Sequence, residues 1–141
     1  MPAIIGPMKH YIIVYIATLV VMTLLDLTWI GGIAKGFYKA RFGDLLEFHA
    51  IPGVLFYFIY ALGVVVFVNG GTTAPWQTTL AVGAMFGFFA YGTYDLTNLA
   101  TLKGWSLSLA VVDMAWGTVV TGVSGALGAS LAAWLERSLS T

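Results

Sequence analysis

Three aspartates, Asp26, Asp95 and Asp113, each sit within a long apolar run of the chain. A carboxyl group in such a place can carry a proton, hold a cation or act as an acid–base group. A charge at the middle of a bilayer costs about 2.5–3.5 kcal/mol on insertion scales, so such residues persist mostly where they face an interior and have a task. Their depths coincide. Asp26 lies nine residues before Lys35, Asp95 eight before Lys103, and Asp113 ten after Lys103. At about 1.5 Å per helical residue, each stands roughly 12–15 Å from the same basic surface, so all three can meet in one layer.

No Lys or Arg lies at that depth. Three carboxylates in a low dielectric cannot all stay ionised alone, so either some are protonated or a cation joins them. The cation is a proton, Na⁺ or a divalent metal, and Thr97, Asn98 and His49 are further ligands for a hard ion. There is no H-E-x-x-H, no D-D-x-x-D and no His pair, so neither a metal site nor a cofactor is assigned.

Helical spacing places polar aromatic residues beside the carboxyls. Tyr15, Thr18, Met22, Asp26 and Trp29 share one face. So do Tyr91, Asp95 and Asn98, with Tyr94 alongside, and so do Ser106, Asp113 and Trp116. The Asp-x-x-Trp spacing of Asp26 and Trp29 recurs in Asp113 and Trp116, and an indole N–H can donate to a carboxylate. The candidate pocket is therefore Asp26, Trp29, Tyr91, Tyr94, Asp95, Asn98, Asp113 and Trp116. The competing reading is purely structural: each Asp bonds a neighbouring helix, worth about 0.6 kcal/mol on average. Asp95 is the shallowest of the three and the most exposed to that alternative. His10 and His49 read as flanking residues at the membrane surfaces.

The elements that must position these groups follow from composition. The 141 residues are 60% hydrophobic and only 9% charged, with a mean hydropathy of +0.92. A soluble domain carries about 25% charged residues, so a soluble globule, a disordered chain and a nucleic-acid binder are all excluded. The net charge is zero and there is no Cys, which removes polyanion attraction, disulfides and thiol chemistry. An all-α, multi-pass membrane protein remains. Four apolar stretches of about 20 residues or more are expected to span the bilayer, at roughly 10–34, 50–68, 76–99 and 106–135, within one membrane domain of residues 1–141. The first is too long for a cleaved leader and is read as a retained span.

Residues 35–49 mix basic, acidic and aromatic side chains and suggest a short helix lying in the interface. The uncharged stretch 69–75 reads as a turn. Lys35, Lys39, Arg41 and Lys103 fall on one side, Lys9 and Arg137 on the other, which places both termini outside the cytoplasm. Asp26-Leu-Thr-Trp29 and Asp95-Leu-Thr-Asn98 leave the membrane on the same side, consistent with a parallel duplication of a two-helix hairpin. Gly83 and Gly87 form a G-x-x-x-G step, the fourth stretch carries Gly117, Gly122, Gly125 and Gly128, and its Gly122–Gly128 half can pack antiparallel against that step. The alternative is that this glycine face builds a homodimer. The bundle is expected to be tight at that end and to open a cavity near the aspartates.

The string Tyr91-Gly-Thr-Tyr94-Asp95-Leu-Thr97-Asn98-Leu-Ala-Thr101-Leu-Lys103-Gly104-Trp105, followed by Asp113-Met-Ala-Trp116-Gly117-Thr118, resembles the domain-of-unknown-function family 2177. The segments around Asp26 and Phe56–Tyr60 also look like it. The resemblance implies a small four-helix inner-membrane protein of bacteria in which Asp26, Tyr94, Asp95, Asn98, Trp105, Asp113 and Trp116 are characteristic positions, and it implies no substrate. Three functions stay open. The first is a carrier or channel-like protein whose carboxylate layer binds a proton or cation, acting as a homodimer or within a larger complex. The second is a membrane enzyme acting on a lipid or isoprenoid with an Asp as acid–base group. The third is a non-catalytic subunit of a membrane complex.

Overall fold

The computed structural model describes residues 2–69 and 74–141, all of them helical or in short connections, with no strand among the described residues. Helix α1 runs over Pro2–Thr28 and continues into a π-helical turn, Trp29–Ile33. Helix α2, Lys35–Phe42, is the short amphipathic piece, and a 3₁₀ turn over Gly43–Leu45 ends it. Helix α3, Ala50–Val64, ends in a second π turn, Val65–Asn69. Helix α4 covers Trp76–Thr101 and α5 covers Leu107–Leu139. The centre of the 69–75 turn, residues 70–73, lies outside the described residues.

Three segments, Gly6–Ile33, Ala50–Asn69 and Leu107–Leu139, are long and apolar enough to cross a membrane. Helix α4 matches them in length but spends more positions on Gly, Thr and Tyr, which lowers its hydropathy. Polar side chains point inward: Thr18, Asp26, Thr79, Asp95, Thr121 and Ser124 are buried. Large apolar ones point outward, among them Leu24, Ile59, Phe67, Phe89 and Val119. This inversion of the soluble pattern suits a chain whose solvent is hydrocarbon.

Helix α5 is the spine, with α1 and α4 packed along it and α3 against α1. Glycine makes the approach possible. A Cβ at Gly83 would sit 3.0 Å from the Gly122 Cα and from the Thr121 carbonyl, and one at Gly87 would collide with the Gly117 carbonyl oxygen. Gly125 faces Val64 and Val68, and Gly128 faces Thr18 of α1. These contacts lie within one copy of the chain. Between α3 and α4 the contact is made by rings instead, Tyr60 and Phe67 against Phe86.

Candidate functional site

Asp26 projects from the buried face of α1, one turn from Met22 and two from Thr18. Both its oxygens are engaged. The Tyr57 hydroxyl of α3 donates to Oδ2 at 2.5 Å, and the Trp116 Nε1–H of α5 donates to Oδ1 at 2.8 Å. Through these two bonds Asp26 ties α1 to α3 and α5. The Trp116 ring is itself fixed by stacking on Trp29, with centroids 4.4 Å apart and planes 7° from parallel.

Asp113 is half-buried on α5, and its donor comes from α2. The Tyr38 hydroxyl donates to Oδ1 at 2.6 Å while accepting from Trp29 Nε1–H at 3.3 Å. The π turn delivers Tyr38 to this place. Its closing bond, Ala34 N–H to the Trp29 carbonyl at 2.8 Å, widens the helix by one residue and lets α2 fold back over the bundle. Tyr38 then buries against Ala34 and Leu109, and Arg41 Nε–H bonds Ser108 Oγ at 3.0 Å, which ties α2 to the start of α5. Burial and the Asp113 bond raise the Tyr38 phenol well above its ordinary range, opposed in part by the Trp29 N–H, so it stays neutral and remains a donor.

Asp95 differs from both. Its side chain is 0% exposed, yet neither oxygen has a hydrogen-bond donor among the described residues. Its neighbours are the Asp113 carboxyl and the Trp105 indole. The Trp105 N–H neighbours the carboxyl but makes no hydrogen bond to it, and it too is buried without an acceptor among the described residues. Trp105 belongs to the short α4–α5 link, where Gly104 takes a positive φ of 84° that turns the chain sharply.

The sequence-selected residues thus divide. Asp26, Trp29, Asp113, Trp116 and Asp95 form one connected layer, and Tyr91 reaches it with its ring laid over Gly117 and its edge toward Tyr60. Tyr94 is largely exposed and meets the layer only through its edge contact with Trp105. Asn98 lies beyond it, half-buried, and Thr97 turns its hydroxyl back to the Thr93 carbonyl. His49 is 3.7 Å from Glu47 on an exposed flank, and His10 bonds Glu136 at 2.9 Å at the far end of the molecule. No cluster of three or more His, Asp or Glu able to hold a metal occurs among the described residues.

Two departures from the sequence reading stand out. The donors that matter most, Tyr38 and Tyr57, lay outside the selected set, as did Tyr60, whose hydroxyl pairs with Thr121 Oγ1 at 2.8 Å. A phenol at helical depth among Phe and Ile is the signal that could have found the last two. The second is a correction. A cavity of about 460 Å³ lies at the end opposite the aspartates, among His10, Tyr11, Trp76, Ser130 and Arg137. Indole and phenol rings crowd the carboxyl layer, whereas small residues, Ala74, Ala129 and Ala133, line the space at the other end.

Neither the curated proteins nor the solved structures yield a match to the chain. A family model described as "Predicted membrane protein (DUF2177)" matches residues 11–130, a stretch that takes in all three aspartates and every ring around them. The chain belongs to this membrane protein family.

Proposed function

We propose that the chain is a small four-span membrane carrier in which the layer of Asp26, Asp95 and Asp113 binds a proton or cation in transit. The observation that carries this reading is Asp95: a fully buried carboxyl beside a second carboxyl, with no basic side chain paired to either among the described residues. A purely structural Asp would resemble Asp26, with its donors complete. The layer is crowded by rings, which suits a small ion better than a lipid or isoprenoid chain.

Helix α4 serves as the fourth span. Its 26 residues extend about 39 Å, and Met85, Phe88, Phe89 and Leu96 present apolar surface to lipid. The basic residues near the carboxyl layer put that end at the cytoplasmic face of the inner membrane, with both termini on the other side. The two Asp-Leu-Thr helices, α1 and α4, flank α5 and bring a carboxyl to the same level, as a parallel duplication would. Four helices enclose little path, so the working unit is a homodimer or a larger complex.

The test is flux into liposomes containing the purified protein and a pH-sensitive dye, under an imposed proton or Na⁺ gradient. Asp95→Asn and Asp113→Asn should each slow flux at least tenfold. Wild-type rates in both variants would overturn the carrier reading.

A further inference from the structure

We infer that Asp95 and Asp113 share one exchangeable proton, resident on Asp95 and donated to Asp113, and that the Trp105 N–H becomes the donor to Asp95 when that proton leaves. The inference rests on the carrier reading for its use, but on local geometry for its existence.

The three carboxyls differ in how many donors reach them. Asp26 has two, one on each oxygen. Asp113 has one, from Tyr38. Asp95 has none, although it is the most buried of the three. A buried carboxylate without donors is among the most costly groups a protein can hold, whereas a buried carboxylic acid needs only an acceptor for its O–H. Asp95 has such an acceptor in the neighbouring Asp113. Asp113 is suited to accept because Tyr38 already supports its negative form. The arrangement therefore assigns the proton to Asp95.

Other charged groups do not disturb the assignment. Asp113 from α5 and Tyr94 from α4 are the titratable neighbours of Asp95, and Tyr38 of α2 acts through Asp113. Arg41 is engaged with Ser108 and the Phe37 ring, and no Lys or Arg pairs with a carboxylate among the described residues. A metal is disfavoured by the donor set, since the oxygens of Asp26 are already taken by Tyr57 and Trp116.

Release proceeds outward. The O–H bond on Asp95 breaks as one forms on Asp113, which is half-buried where Asp95 is fully buried. The same proton then passes from Asp113 to a water molecule, and Asp95 is left as a carboxylate. Trp105 can answer this change. Its N–H is buried, unpaired and adjacent, and it sits on a link that Gly104 already bends. Turning the indole onto Asp95 satisfies a donor and an acceptor that are both orphaned in the protonated state.

The experiment uses the full chain in vesicles of phosphatidylethanolamine and phosphatidylglycerol. Infrared spectra across a pH titration should show a protonated-carboxyl carbonyl band. The band should be lost in Asp95→Asn, retained in Asp26→Asn, and retained but displaced in Asp95→Glu, which separates loss of the proton from loss of the fold. Tryptophan emission should shift over the same pH range, and the shift should vanish in Trp105→Phe. The inference is overturned if the band survives Asp95→Asn unchanged, if adding NaCl at constant pH removes it, or if the emission shift persists without Trp105. Flux without a band dependent on Asp95 would spare the carrier reading and sink the shared proton. The band without flux would support the shared proton and sink the carrier.

Discussion

Asp26 and Asp95 occupy nearly the same local sequence, Asp-Leu-Thr, near the same level of two helices that flank α5. Both are buried, at 5% and 0% exposure. Yet Asp26 receives a hydrogen bond on each oxygen, while Asp95 receives none. The difference does not come from the motif. It comes from what the surroundings offer: a phenol and an indole that donate at Asp26, a second carboxyl and an unpaired indole at Asp95. Depth is a property of a residue's position along its own helix, but satisfaction is a property of the whole cross-section. One carboxyl is a fixed joint and the other a labile site, although their neighbours in sequence match.

The most severe way to break this comparison is to break the seam that both pockets depend on. Gly87→Ala would drive a methyl group into the Gly117 carbonyl oxygen and the Thr121 side chain. Backbone cannot yield as a side chain can, so α4 must move off α5, taking Asp95 from Asp113 and loosening Tyr91 over Gly117. Thermal unfolding in mild detergent should show a loss of about 3 kcal/mol, at the upper end of the ordinary overpacking range. A loss below about 1 kcal/mol would mean that the seam is looser than the close approach implies.

The two pockets are compared most directly by the same substitution in each. Asp26→Asn replaces one acceptor oxygen by a donor, so Trp116 or Tyr57 loses its acceptor, and stability should fall by about 2 kcal/mol. Asp95→Asn places an N–H where the proton of Asp95 would be, facing Asp113, and should change stability by less than about 0.5 kcal/mol. Equal losses at both sites, measured by the same unfolding assay, would erase the distinction between joint and labile site.

That contrast also marks how far the sequence could be read. The count from Asp26, Asp95 and Asp113 to Lys35 and Lys103 is pure helix arithmetic and needs no knowledge of partners. The family membership and the all-helical, membrane character were legible for the same reason: apolar run length and a specific local string carry them. The donors were not. Tyr38 arrives at Asp113 from 75 residues away, through a π turn that periodicity does not announce, and Tyr57 reaches Asp26 across a packing interface. The cavity was expected near the aspartates because the glycine face was read as closing the other end, whereas Ala74, Ala129 and Ala133 line a space there.

Tyr38 sharpens the comparison from the side of Asp113. Tyr38→Phe removes the donor to a half-buried carboxyl and should cost about 1 kcal/mol near neutral pH. The cost should also depend on pH. The fold raises the phenol above its ordinary value near 10, so the neutral form is favoured by folding. Its contribution is full below pH 10 and is lost as pH climbs from there toward the folded value. The gap between wild type and Tyr38→Phe should therefore be constant from about pH 6 to 9 and narrow above about pH 10. A gap that widens in alkali would show that Tyr38 is ionised in the folded chain.

The smallest effect is expected where the paired side chains are most exposed. At the end far from the aspartates, His10 Nδ1 meets both Glu136 oxygens, at 2.9 and 3.0 Å, and joins α1 to α5 as Tyr57 and Trp116 join their helices through Asp26. The two side chains remain 37% and 33% exposed, so water and headgroups compete for each of them. Glu136→Gln should change stability by no more than about 0.5 kcal/mol. Set against the Asp26→Asn loss, that value measures how much exposure takes from a two-contact joint between helices. If Glu136→Gln costs as much as Asp26→Asn, burial is not what makes the Asp26 joint strong, and the orphaned state of Asp95 loses its energetic meaning as well.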